Sequence, residues 1–299
     1  MRSFTFLVNP TSGGGAAPGA VVPVAWAMRE AGASVEVTYS PGPKAMHALV
    51  TAAVARGDVV VSVGGDGMLS SIAGEVARLG GILGIVPAGR GNDFARMLGL
   101  PDDPAAIARI LLEAEPTPTD LISADLPGGP RTVAGSVYAG VDALTASLVN
   151  KARWIPRKLQ YPAAAVRALA TFKAATYSLT VDDDVHEFVG ASVVVANSGY
   201  YGSGMHIAPD ASVDDGLLDV IVIEAAGRVD MIRSFPKVYD GGHVELDQVH
   251  VLRGRSVTIS AQPCVALGGD GEPLGFLGGA PLTVEVRPGM LQVLRDRAR

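Results

Sequence analysis

The run Val59-Val60-Val61-Ser62-Val63 ends in Gly64-Gly65-Asp66-Gly67, and the hydrophobic period changes at that point. The first five residues, mostly β-branched and uncharged, read as a buried strand. Met68, Leu69, Ile72, Val76 and Leu79 then fall on one face of a 3.6-residue helix. The junction is therefore strand, glycine turn, helix. Glycines let another molecule approach the backbone closely, and N–H groups at a helix start favour an anion such as phosphate. Asp66 would repel that anion unless a cation lay between them, which casts it as a partner of Mg2+ or of a Mg2+-bound water. The alternative is a structural turn with no ligand, and these four residues alone do not separate the two readings.

Two further loops bear on the choice. A strand over 4–8 runs into Asn9-Pro10-Thr11-Ser12-Gly13-Gly14-Gly15, and one over 82–86 runs into Pro87-Ala88-Gly89-Arg90-Gly91-Asn92-Asp93. Helical spacing over 21–31, 45–56 and 101–113, with a strand over 35–39 ending at Ser40, gives the alternation of a parallel sheet covered by helices. Ligands of such sheets collect at the carboxyl ends of the strands. Three glycine loops at such ends point to a nucleotide site.

From Val133 onward the texture is different: short apolar strands over 189–197, 217–224, 250–259 and 282–286, with one helix over 161–176. Regularly spaced short strands indicate an all-β sandwich. With Pro116 and Pro118 as punctuation, the expected domains are 1–124, an α/β domain, and 125–299, a β-sandwich. A net charge of −6 argues against nucleic acid as a partner. The single cysteine, Cys264, excludes an intramolecular disulfide and is assigned to the core. The chain enters a strand at once without a leader, and no apolar run approaches the ~20 residues of a membrane span. The expectation is a cytoplasmic protein, soluble or peripherally attached. Lys151, Arg153, Arg157 and Lys158, interleaved with Trp154 and Ile155, suit either anionic lipid headgroups or a solvated lead-in to a helix.

These loops are joined by Asn197 with Tyr201-Gly202-Ser203-Gly204, by Ala208-Pro209-Asp210-Ala211 with Asp214-Asp215-Gly216-Leu217-Leu218, and by Asp270-Gly271-Glu272. Together they make the chain resemble the diacylglycerol kinase catalytic family, which includes bacterial lipid kinases and sphingosine kinases. The resemblance covers nearly the whole length. It implies an N-terminal α/β domain like that of phosphofructokinases and NAD kinases, a C-terminal β-sandwich, and an ATP site in the cleft between them. It also implies a final segment, about 290–299, that returns to the first domain.

By that resemblance Gly64, Gly65, Asp66, Gly67, Met68, Leu69 and Ser70 form the ATP-phosphate loop, with Asn9, Ser40, Arg90 and Asn92 near the nucleotide. Asp66 and Asp93 correspond to carboxylates of a water-linked Mg2+ network. Ser212, Asp215 and Leu217 correspond to a structural metal loop whose oxygen ligands suit Mg2+ or Ca2+, or are simply a turn. Glu272 stands where the family has its proton acceptor. Two positions depart from the family pattern: Met68 replaces the common threonine, and Arg90 stands where the family commonly has threonine. Arg90 either binds phosphate through its guanidinium or lies on the surface. The implied function is an ATP-dependent lipid kinase acting at a membrane surface, with diacylglycerol as the default acceptor and an exposed sheet edge available for a homodimer. The competing readings are a catalytically silent nucleotide- or lipid-binding protein and an NAD kinase.

Overall fold

A computed structural model describes residues 2–40, 42–151 and 157–296. The chain divides into two units, 1–121 with 288–299, and 122–287.

In the first unit, β1 (Ser3–Val8), α1 (Ala17–Glu30), β2 (Ser34–Tyr39), α2 (Pro43–Ala55), β3 (Val59–Gly64), α3 (Asp66–Arg78) and β4 (Ile82–Pro87) alternate, followed by the short α4 (Asp93–Met97) and α5 (Pro104–Glu113). The strands pair in parallel in the order β2-β1-β3-β4, with Val8 beside both Tyr39 and Val63, and Gly64 beside Pro87. β3 is buried along its whole length because it is paired on both edges and covered on both faces, which explains its unbroken apolar sequence. The register aligns the carboxyl ends of all four strands. Gln292 and Val293 add in parallel beside Ile82 and Leu83 on β4.

β5 (Pro116–Leu126) leads from the first unit into the second. The residues read as punctuation, Pro116 and Pro118, begin this strand instead of a linker. There follow β6 (Gly129–Val133), β7 (Ser136–Gly140), α6 (Val141–Lys151), α7 (Arg157–Thr171), β8 (Ala175–Val181), β9 (Asp184–Ala196), β10 (Tyr200–Tyr201), β11 (Met205–His206), β12 (Leu218–Glu224) and α8 (Arg228–Ser234). The last strands are β13 (Val249–Gly254), β14 (Ser256–Gln262), β15 (Val265–Gly269), β16 (Glu272–Leu277) and β17 (Leu282–Leu294).

β9 organises this unit. Its first half pairs with β8, while its second half is flanked by β7 and β12, all antiparallel. The inward residues of the strands, among them Ile122, Val193, Val195, Leu218, Val257 and Val284, fill one core in the manner of a sandwich. α6, α7 and α8 pack through Val141, Leu169, Phe172 and Met231, forming a separate apolar cluster. The sequence predicts one helix here, and the described residues form three α-helices. Cys264 is exposed, contrary to the core assignment, because it sits in the turn between β14 and β15. No helix among the described residues is long and apolar enough to cross a membrane. Residues 152–156 of the basic run, and the side chains of Lys151, Arg157 and Lys158, lie outside the described part of the structure.

Candidate active site

The three glycine loops of the first unit meet. A Cβ placed on Gly13 would lie 2.6 Å from the Ala88 carbonyl oxygen, one on Gly64 would lie 3.2 Å from Ser12 Oγ, and one on Gly89 would lie 2.3 Å from Gly65 Cα. Glycine is required at Gly13 and Gly89 by contact with neighbouring backbone. The chain also tightens the turn: Ala88 N–H donates to Gly64 O at 2.9 Å, and Asn9 N–H to Val63 O at 3.1 Å.

Asn9 and Ser40 follow the paired ends of β1 and β2. Asn9 Oδ1 accepts from Thr11 N–H at 3.0 Å, and Ser40 N–H donates to Val8 O at 2.8 Å. Asn92, with φ +53°, closes the third loop by accepting Gly89 N–H on Oδ1 at 2.7 Å. Arg90 is exposed on that loop.

α3 begins without a side-chain cap, its N-cap being Gly65. The first intrahelical bond is Leu69 N–H to Gly65 O at 3.0 Å, so the amides of Asp66, Gly67 and Met68 have no partner within the helix. Leu69 and Ser70 are buried. An anion fits at the first three positions.

Asp66 Oδ1 accepts Phe94 N–H at 3.2 Å, and Asp93 is buried. Oδ2 of Asp93 and Oδ2 of Asp66 lie 2.8 and 3.2 Å from the point a Gly91 Cβ would fill. Two carboxylate oxygens around one small space fit a hard, partly hydrated divalent cation. No group of three or more His, Cys, Asp or Glu with metal-binding geometry occurs among the described residues.

The other residues singled out in the sequence lie in the second unit. Glu272 is exposed at the start of β16, opposite Gly269. Its turn is anchored by Asp270, whose carboxylate accepts N–H groups from Ala134 at 2.9 Å, Gly135 at 3.0 Å and Ser136 at 2.9 Å. Gly271 N–H donates to Tyr138 Oη at 2.9 Å. On the loop holding Ser212, Asp215 and Leu217, Asp215 Oδ1 accepts Leu217 N–H at 3.0 Å, and Oδ2 takes Arg253 Nη2 at 2.7 Å. Arg253 also reaches Asp219, 3.2 Å from its Nε. Burial raises the Asp219 carboxyl to about 6 against the pull of Arg253. A metal at this loop competes with Arg253 for Asp215.

An apolar pocket with a cavity volume of about 70 Å3 was not legible in the sequence. Leu169, Ile207, Ile223, Met231 and Phe235 line it, and one end is polar, formed by Asp142, Ser192 and Tyr201. Asp142 accepts Tyr201 Oη–H at 2.6 Å and contacts Ser192 Oγ, which in turn donates to Ala139 O at 2.9 Å. Burial pushes the Asp142 carboxyl above the usual carboxylate range and the Tyr201 phenol well above its ordinary value. The signal for this site was an acid inside the apolar run over 137–144.

Residues 3–124 match the diacylglycerol kinase catalytic domain, and residues 135–295 match the YegS C-terminal NAD kinase beta sandwich-like domain. The chain is 35% identical to a diacylglycerol kinase of Mycobacterium tuberculosis (strain CDC 1551 / Oshkosh), over 98% of this chain and 95% of that protein. It is 25% identical to a diacylglycerol kinase of Bacillus subtilis (strain 168), over 93% and 92%. A crystal structure of a diacylglycerol kinase from Bacillus anthracis str. Sterne superposes with a TM-score of 0.73 at 20% identity, covering 99% of this chain and 97% of that one.

Proposed function

Because the chain belongs to the diacylglycerol kinase family of lipid kinases, we propose that it transfers the γ-phosphoryl group of ATP to the hydroxyl of a lipid, with diacylglycerol as the acceptor. The observation that carries this reading is the uncapped start of α3, set among loops packed backbone to backbone. ATP with Mg2+ supplies an electrophilic phosphorus whose transfer runs through a loose, in-line transition state, so positioning and charge neutralisation dominate catalysis.

The amides of Asp66, Gly67 and Met68 bind phosphate oxygens, which suits a loop whose Met68 lacks a hydroxyl. Asn9, Ser40, Arg90 and Asn92 border the nucleotide. Asp66 and Asp93 hold the cation, directly or through water. Glu272 accepts the proton of the attacking hydroxyl, a contribution of about 10²–10⁴ in rate. Ser212, Asp215 and Leu217 form a second oxygen site for Mg2+ or Ca2+, in competition with Arg253.

The apolar pocket receives acyl chains, and Asp142, Ser192 and Tyr201 hydrogen-bond the polar part of the acceptor. Tyr138 ties this end to the base: its hydroxyl accepts from Gly271, and its ring lies 5.8 Å from that of Tyr201. The substrate comes from a membrane, so the protein works as a peripheral enzyme.

The test is transfer of labelled γ-phosphate from ATP to diacylglycerol, monoacylglycerol, phosphatidylglycerol, ceramide and sphingoid bases in mixed micelles, with NAD as a water-soluble arm. Label in phosphatidic acid above all other products is expected. Label in NADP, or in no product, overturns the reading.

A further inference from the structure

Many described arginines are committed. Arg2, Arg56, Arg78, Arg109, Arg253 and Arg287 make ion pairs, and Arg29 donates to the Val35 carbonyl. Arg167 and Lys173, on α7 and just beyond it, and Arg228, Arg233 and Lys237, on α8 and the turn that follows, are exposed and show no such side-chain bond. The exposed acids among them are Asp230 on α8 and Asp240 beside Tyr239, two against five cations. In a chain of net charge −6, this patch carries the opposite sign. Apolar side chains share it: Val229 is 59% exposed, Val166 41% and Tyr239 40%.

The buried faces of the same two helices meet in Leu169 and Met231, with Phe172 just beyond α7 in the same cluster, and Leu169 and Met231 also line the apolar pocket. One pair of helices thus offers cations and apolar tips outward and part of an apolar pocket lining inward. Cations interleaved with apolar side chains complement an anionic bilayer, where headgroups meet the charges and the interface accepts the apolar tips.

We propose that the outer faces of α7 and α8 form the surface by which this protein docks on anionic membranes, bringing the lipid acceptor to the pocket those helices line. The proposal rests on the reading of that pocket as the acceptor site. Docking does not depend on catalysis, so the two readings fail separately.

The experiment is cosedimentation of the full chain with vesicles of phosphatidylcholine, with and without 30 mol% (roughly a third) phosphatidylglycerol, at low and high salt. It compares wild type, Arg228→Glu/Arg233→Glu, and a control, Arg131→Glu/Arg255→Glu. The control residues are exposed cations without ion pairs carried by the strand region of the same unit. Wild type is expected to bind the anionic vesicles and to lose binding with salt. Each cation removed from the helices weakens partitioning about fivefold, so the helix variant binds at least ~25-fold more weakly while the control binds like wild type. Phosphoryl transfer to a short-chain lipid in detergent is expected to be unchanged in the helix variant, which also verifies its folding. Equal binding by wild type and the helix variant, equal loss in the control, or equal binding to neutral and anionic vesicles overturns the proposal.

Discussion

Asp66 Oδ1 accepts the backbone N–H of Phe94 at 3.2 Å, joining the start of α3 to the start of α4. The same carboxylate turns Oδ2 toward the space shared with Asp93. One oxygen holds the loops together and the other faces the space shared with Asp93, so substitution can separate the charge from the backbone contact. Asp66→Asn retains an acceptor for Phe94 and loses the charge. Its melting temperature is expected to stay near wild type while phosphoryl transfer falls about 10²–10³-fold. Asp66→Ala loses the acceptor as well, and about 1–2 kcal/mol of stability with it. Parallel calorimetry and kinase assays check both.

The meeting of glycine loops makes a sharper structural prediction. A Cβ on Gly89 would stand 2.3 Å from Gly65 Cα and 3.1 Å from Gly65 N, backbone that cannot yield as a side chain can, with Asn92 Oδ1 at 2.8 Å, whereas one on Gly128 meets nothing within 4 Å. Gly89→Ala is expected to cost at least ~2 kcal/mol and to abolish ATP binding, and Gly128→Ala to be near neutral. Thermal melts with and without ATP read both outcomes.

Asp270 satisfies three backbone N–H groups of the 134–136 segment, all of them on buried residues. Asp270→Ala orphans these donors, at an expected cost of about 2–4 kcal/mol. Because the turn carries Glu272, kcat falls while KM for ATP changes little. Equal effects on both parameters would place the defect elsewhere.

Asp219 gives a pH dependence. Burial raises its carboxyl from 3.8 in the unfolded chain to about 6 in the native protein, against the attraction of Arg253. The native state therefore binds this proton more readily than the unfolded state. The contribution is present below pH ~4 and is lost as pH rises through about 6, leaving a penalty of at most ~3 kcal/mol above it. Asp219→Asn removes the titration, so its stability relative to wild type is expected to be more favourable at pH 8 than at pH 4. Denaturant titrations at pH 8, 6 and 4 measure the difference.

The α/β unit was legible because its information is local. Val59 to Val63 is apolar since β3 is buried on both faces, and each glycine loop follows its own strand, so strand, turn and helix can be read from adjacent residues. The second unit depends on distant partners. The triple acceptor role of Asp270 involves residues more than a hundred positions upstream, and nothing near Asp142 announces Tyr201 or Ser192. Helices α6 and α8 escaped notice because their apolar residues are shared with a pocket and weaken the periodic signal. Cys264 was misassigned by its residue type, which favours burial, while a turn between strands placed it outside.

The measurement closest to the central claim is single-turnover transfer of γ-phosphate from ATP to diacylglycerol in detergent, comparing wild type with Glu272→Gln. The substitution is nearly isosteric and falls on an exposed side chain, so the fold and ATP affinity should persist. The account predicts labelled phosphatidic acid with wild type and a rate lower by about 10²–10⁴ in the variant. Equal rates in the two proteins, or no labelled lipid from the folded, ATP-bound wild type, would contradict it.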